Sequence, residues 1–190
     1  MANSLEYYFL QKYGWKIGCA CLPFFFLFIV LLCCSSSGGS EEGVATAFFT
    51  TPFEEEIKYT ITSNYGTRID PIDLDKISFH SGIDLSAPAG TSIVASADGV
   101  VYEVGYSESG LGNYVYIEHD YGGLVLYTMY GHMADDSIVV SVGDKIKAKD
   151  KIGIIGSTGR STGIHLHFMI SKNKISFKQE DLMDPIVAMK

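Results

Sequence analysis

Beyond residue 34 this chain contains no cysteine. All four cysteines (Cys19, Cys21, Cys33 and Cys34) lie inside an apolar N-terminal run. The rest of the chain therefore has neither a disulfide framework nor a thiolate metal site, and any metal there must be held by histidine and carboxylate. Histidine is scarce, with five in 190 residues. Positive charge is scarce as well: 14 basic residues face 22 acidic ones, for a net charge of −8. Lys12 and Lys16 against Glu6 leave the first 40 residues at +1, so the remainder carries −9. A domain of that charge lacks the basic surface that nucleic-acid phosphates require, and no nucleic-acid partner is expected. Amphipathic helical runs of useful length and internal repeats are also missing.

What is present is enough for one domain and an appendage. The apolar share is 47%, ample for a core. Residues 1–16 read as a cytoplasmic tail. Ile17 to Cys34 follows as 18 residues without a charge. A helix of that length covers roughly 27 Å, close to a ~30 Å hydrocarbon core. Lys12 and Lys16 precede the run and Glu41 and Glu42 follow it. The positive-inside rule then keeps the N-terminus in the cytoplasm and exports the large domain, anchored to the cell membrane by a single pass. A cleaved signal peptide is the alternative, but Ala45-Thr46-Ala47, of A-x-A form, lies well beyond the apolar run. Ser35 to Ser40 reads SSSGGS, and residues 35–56 are expected as a flexible linker, with the folded domain at 57–190.

Within that domain the pattern is of strands. Residues 57–63, 92–97, 99–106, 113–119, 124–130, 145–148, 151–156, 165–171 and 174–177 are short apolar or alternating runs, separated by turn residues such as Asp98-Gly99 and Gly122-Gly123. The expectation is an all-β, mostly antiparallel sandwich or open barrel.

Two constellations carry chemistry. His165 and His167 are two apart in IHLHFMI, so a strand puts both imidazoles on one face and turns Leu166 and Phe168 to the other. His80 and Asp84 are four apart in HSGID; Gly82 and the following Pro88 disfavour a helix, so the five residues are expected on one strand. His80, Asp84 and one of His165 and His167 form a set of two imidazoles and a carboxylate, the kind of three-ligand set that leaves a catalytic zinc a position open to water. His132 follows the apolar run 124–130. His119 ends another run before a turn and reads as structural.

The stretches SNYGTRIDP (63–71), FHSGIDLSAPAGTSIVASADGVV (79–101), YGHM (130–133), VGDKIKAKDKIGIIGSTGRSTGIHLHF (142–168) and Asp184-Pro185 resemble the LytM/lysostaphin-type zinc endopeptidases, over about residues 60–188. The resemblance implies a fold of the LytM type. It also implies one Zn2+ per domain, held by His80, Asp84 and His167, with His132 and His165 as the two catalytic histidines. The implied substrate is a peptide bond in the stem or crossbridge of bacterial peptidoglycan, attacked by zinc-activated water. An alternative is a non-catalytic domain of the same fold that binds or activates another cell-wall hydrolase; such domains usually lose ligands, and here all five polar groups are kept. The Gly-rich stretches Ser107–Gly112 and Gly156–Gly163 are expected to wall the cleft. A tether is compatible with growth, division, or local opening of the wall beside a secretion or conjugation machine.

Overall fold

The computed structural model describes residues 48–71 and 73–189. The expected tail (1–16), the membrane anchor (17–34) and the linker up to residue 47 lie outside the described residues. Among the described residues no helix is long and apolar enough to cross a membrane.

The described chain is nearly all β. In order, the strands are β1 (Thr60–Ser63), β2 (Gly66–Ile69), β3 (Ile77–His80), β4 (Ile83–Ser86), β5 (Ser92–Val94) and β6 (Gly99–Ser107). They continue with β7 (Gly112–Tyr121), β8 (Leu124–Met133), β9 (Lys145–Ile146), β10 (Lys151–Ile154), β11 (Leu166–Lys172) and β12 (Leu182–Met183). A 3-10 turn (Gln179–Asp181) and one short helix, α1 (Pro185–Ala188), complete the described elements. Asp184 caps α1, accepting from the Ile186 N–H at 2.9 Å, and Pro185 occupies the first helical position, where its missing N–H costs nothing.

The main sheet runs β1-β4-β11-β8-β7-β6-β9, with β12 also paired to β11; β5 with β10 and β2 with β3 form two small ribbons. All these strand pairings are antiparallel. The longest pair, β7–β8, closes on Gly122 and Gly123, both at positive φ (68° and 98°), the backbone that a tight two-residue hairpin needs.

The two central strands, β8 and β11, are buried on both faces. Leu126, Tyr130, Phe168 and Ile170 are fully buried in the main core with Ile83, Leu85 and Ile93. On the other face Met129 and Met169 join Tyr116, Tyr127 and Leu182, and Tyr65 and Phe79 pack over them. Phe79 thus seats the β2–β3 ribbon on the sheet immediately before His80.

Some details of the sheet and of its lead-in were not in the sequence reading. His80 and Asp84 are not on one strand: β3 ends at His80, the chain bends at Ser81-Gly82, and β4 begins at Ile83. A Cβ at Gly82 would overlap the Phe168 carbonyl, so only glycine lets the bend press against β11. The runs on either side of Asp98-Gly99 take separate partners: β5 pairs with β10 while β6 pairs with β7 and β9. Residues 174–177 form no strand. Residues 48–56, expected as linker, are part of the domain. Phe49 and Phe53 are fully buried, and the Lys149 ammonium donates to the Thr51 and Phe53 carbonyls at 3.0 and 2.9 Å.

Candidate metal centre and active site

Register brings the site together on β11. His167 pairs with Asp84 of β4 on one side and with Gly131 of β8 on the other. The next residue of β8 is His132, held at φ 59° by its N–H bond to the Leu111 carbonyl at 2.7 Å. That left-handed backbone is uncommon for a residue with a side chain and is tolerated where the surroundings over-determine it. His165 stands just before β11, bridged to Gly156. His80 arrives from β3.

Three atoms converge at the centre. His80 Nε2 and His167 Nδ1 lie 2.9 Å apart, His167 Nδ1 and Asp84 Oδ1 2.9 Å, and His80 Nε2 and Asp84 Oδ1 3.0 Å. All three side chains are almost entirely buried. The outward nitrogens are engaged: His80 Nδ1 donates to the Asn64 carbonyl at 2.8 Å, and His167 Nε2 lies 3.3 Å from Ser81 Oγ. His80 Nε2 then presents a lone pair to the triangle, and with Ser81 Oγ accepting from His167 Nε2 the inward His167 Nδ1 does the same. Such a convergence of acceptors is repulsive unless a cation or a proton sits among them. The spacing suits one small ion: bonds of about 2.0–2.1 Å in a tetrahedron set neighbouring ligand atoms roughly 3.3 Å apart. His80, Asp84 and His167 can hold a metal ion.

Charge states agree with that use. Burial alone would raise the Asp84 carboxyl, but the close approach of the His167 and His80 rings outweighs it and holds it well below the usual carboxylate range. Burial pushes the His167 imidazole down, against the pull of Asp84. An ionised carboxylate beside a neutral imidazole is the state that binds metal.

His132 and His165 flank the trio. Their rings are 4.7 Å apart, and His165 Nε2 lies 3.7 Å from Asp84 Oδ1. Each donates through Nδ1 to a loop carbonyl: His132 to Thr158 and His165 to Gly163, both at 2.8 Å. Nε2 is left as the basic nitrogen on each. Burial pushes His132 down to about 4, so it is neutral at physiological pH. The five groups singled out from the sequence therefore meet in one place, on the floor of an open cleft of about 550 Å³. Ser109, Gly110 and Leu111 from one Gly-rich stretch and Arg160, Thr162 and Gly163 from the other line it, as expected of them.

His119 lies apart. It is fully buried between the Asp98 carbonyl and the Thr128 hydroxyl, each at 2.8 Å, and burial lowers its pKa. The sequence reading missed Arg68, whose guanidinium reaches Asp84, and Ser63, which bridges Arg68 and His80. The available signal was scarcity: the chain has only two arginines, Arg68 and Arg160. Both line this cleft.

Residues 78–179, more than half of the chain and including every one of the five site groups, match the model of peptidase family M23. The chain belongs to that family. The DD-carboxypeptidase/endopeptidase Mpg of Neisseria meningitidis is 43% identical over 115 residues, which is 60% of this chain and 25% of that protein. The catalytic domain of the antimicrobial peptidase lysostaphin from Staphylococcus simulans superposes with a TM-score of 0.57 at 32% identity, covering 68% of this chain and 90% of that domain. A zinc-containing peptidase from Vibrio cholerae gives 0.60 at 33% identity, covering 76% of this chain and 40% of that one. The M23 match and the lysostaphin likeness bear out the LytM/lysostaphin-type resemblance and its nearly all-β antiparallel fold. The chain spans about a quarter to a third of the length of the curated relatives it matches.

Proposed function

We propose that this M23 peptidase is a zinc metalloendopeptidase that hydrolyses peptide bonds in the stem or crossbridge of bacterial peptidoglycan. The observation that carries the reading is the triangle of His80 Nε2, Asp84 Oδ1 and His167 Nδ1, with two further imidazoles beside it on the floor of one cleft. When bound there, zinc supplies Lewis-acid chemistry, bringing a water's pKa to about 7 and polarising a carbonyl. The protein's own groups do the rest. His132 and His165 are fixed in one tautomer by the Thr158 and Gly163 carbonyls, so a lone pair on Nε2 is ready in each. One takes the proton of the attacking water and returns it to the leaving amine, and the second imidazole lines the cleft beside it. The name of the Neisseria relative favours a D,D-peptide bond as the one cut.

We further infer that residues 17–34 hold the domain at the cell membrane, exported, with the N-terminus in the cytoplasm. The uncharged run of 18 residues and the lysines before it support this.

The test of function is digestion of purified peptidoglycan followed by mass spectrometry of the muropeptides. Cleavage that stops with a chelator and returns with zinc is the expected result, and the product masses identify the bond. No cleavage by zinc-loaded, folded protein would sink the enzymatic reading in favour of a domain that binds or activates another hydrolase. For the anchor, full-length protein should stay in the membrane pellet after alkaline wash, with its C-terminal domain open to external protease. A soluble processed form would argue for a cleaved signal.

A further inference from the structure

Only two of the 14 basic residues are arginines, and the cleft holds both. Arg160 pairs with Asp70 at 3.0 Å and ties a wall loop to the end of the β2–β3 ribbon. Arg68, on β2, is placed differently. Its Nη1 donates to Asp84 Oδ2 at 3.1 Å and also to Ser63 Oγ. The other oxygen of the same carboxylate, Oδ1, faces the inward nitrogens of His80 and His167. Ser63 Oγ in turn lies 3.4 Å from His80 Nδ1. One guanidinium is thus connected to two of the three converging side chains.

Resting on the reading that these three residues hold zinc, we propose that Arg68 is the positioning residue of the metal centre. It keeps Asp84 Oδ2 occupied so that Oδ1 alone faces the ion, and through Ser63 it steadies the His80 ring. A carboxylate is free to bind a cation through one oxygen or two. The direction in which Asp84 points is set by whatever holds its second oxygen, and partners of this kind fix ligand geometry and metal affinity. Arginine suits the task because its planar fork offers several N–H groups in fixed directions, enough to reach a carboxylate and a hydroxyl together. A lysine offers a single mobile point charge. The bland alternative is a staple, an ion pair that only fastens the β2–β3 ribbon to β4.

The two differ in what they predict for Arg68→Met and Arg68→Lys in the full-length chain. Three quantities are read: zinc affinity by competition with a chromophoric chelator, the visible spectrum of the cobalt(II)-loaded protein, and the melting temperature of the metal-free protein. For a positioning residue, Arg68→Met binds zinc about 10- to 100-fold more weakly. The cobalt d–d bands weaken as Oδ2 swings in and the coordination number rises. Arg68→Lys lies between, with part of the affinity recovered. A staple lowers the melting temperature and leaves affinity and spectrum as in the wild type; that result in either folded variant overturns the proposal. Should Arg68→Met fail to fold, Arg68→Lys decides in the same way. Wild-type protein that binds no zinc overturns the metal reading itself, and is told apart because the defect appears without any substitution.

Discussion

Asp84 is the meeting point of the site. Arg68 holds one of its oxygens, and His80, His167 and His165 approach the other at 3.0, 2.9 and 3.7 Å. The graded distances separate two histidines that sequence spacing treats alike. His167 supplies one corner of the converging triangle, while His165 stands outside it with its Nδ1 proton given to Gly163. Replacing His167 by Ala should therefore remove both bound zinc and activity. His165→Ala should retain most of the zinc and lose about 10²- to 10⁴-fold in hydrolysis, the range of a positioned proton-transfer group. Metal analysis beside an activity assay reads both, and equal zinc loss in the two variants would undo the separation. His119 makes a prediction of another kind. Burial lowers its pKa below the unfolded value of 6.5, so the folded protein binds fewer protons there than the unfolded chain. Its contribution to stability is complete above about 6.5 and is lost as pH falls below that value. Urea midpoints between pH 7.5 and 5 should drop more steeply for wild type than for His119→Gln; parallel curves would mean that His119 is not the group responsible.

At the level of elements, the site is a matter of which strand lies beside which. β4 and β8 flank β11, and the β2–β3 ribbon is seated over the same face by Phe79. Gly82 is the narrow point: it turns the chain between His80 and Asp84 against the Phe168 carbonyl. Gly82→Ala must push β4 and β3 away from β11, which pulls two donors from the third. Overpacking of this kind costs about 1–3 kcal/mol. The expected outcome is a lower melting temperature together with weakened zinc binding. A variant that melts earlier but keeps wild-type zinc affinity would show that the centre tolerates the shift.

The whole molecule extends further upstream than its strands do. Phe49 and Phe53 are buried in the core, the Phe49 N–H bonds the Ala188 carbonyl, and Thr50 bonds Ser96 through both its N–H and its hydroxyl. Full burial of a phenylalanine is worth about 1.5–3 kcal/mol. A chain starting at residue 57 should consequently unfold on the order of 3 kcal/mol more easily than one starting at residue 45. Matching denaturation midpoints would show that the lead-in is dispensable. The lead-in also sits far from the chemistry. Tyr121 donates to the Phe48 carbonyl at the turn end of the β7–β8 hairpin, and His132 is at the other end of β8. Eight strand residues at ~3.3 Å put those ends roughly 27 Å apart. The described lead-in therefore meets the hairpin at the end remote from the cleft.

Local pattern was enough for part of this. The two-residue spacing of His165 and His167 set their common face, because strand side chains alternate. Alternating runs and Gly-Gly and Asp-Gly turns marked most strands and the β7–β8 hairpin. The absence of cysteine confined any metal to imidazole and carboxylate. What periodicity cannot give is the neighbour: it fixes which face a residue takes, not which distant strand lies beside it. His80 and His167 are 87 positions apart, and Asp84 and His167 are 83 apart. Only strand register unites them. The same limit explains why β5 and β6, consecutive about Asp98-Gly99, find their partners elsewhere. It also explains the buried lead-in, whose Phe49 and Phe53 have no local periodicity to announce them. Arg68 is the clearest case. Scarcity and the stretch SNYGTRIDP single it out, but its place beside Asp84 exists only once the β2–β3 ribbon has folded over the sheet.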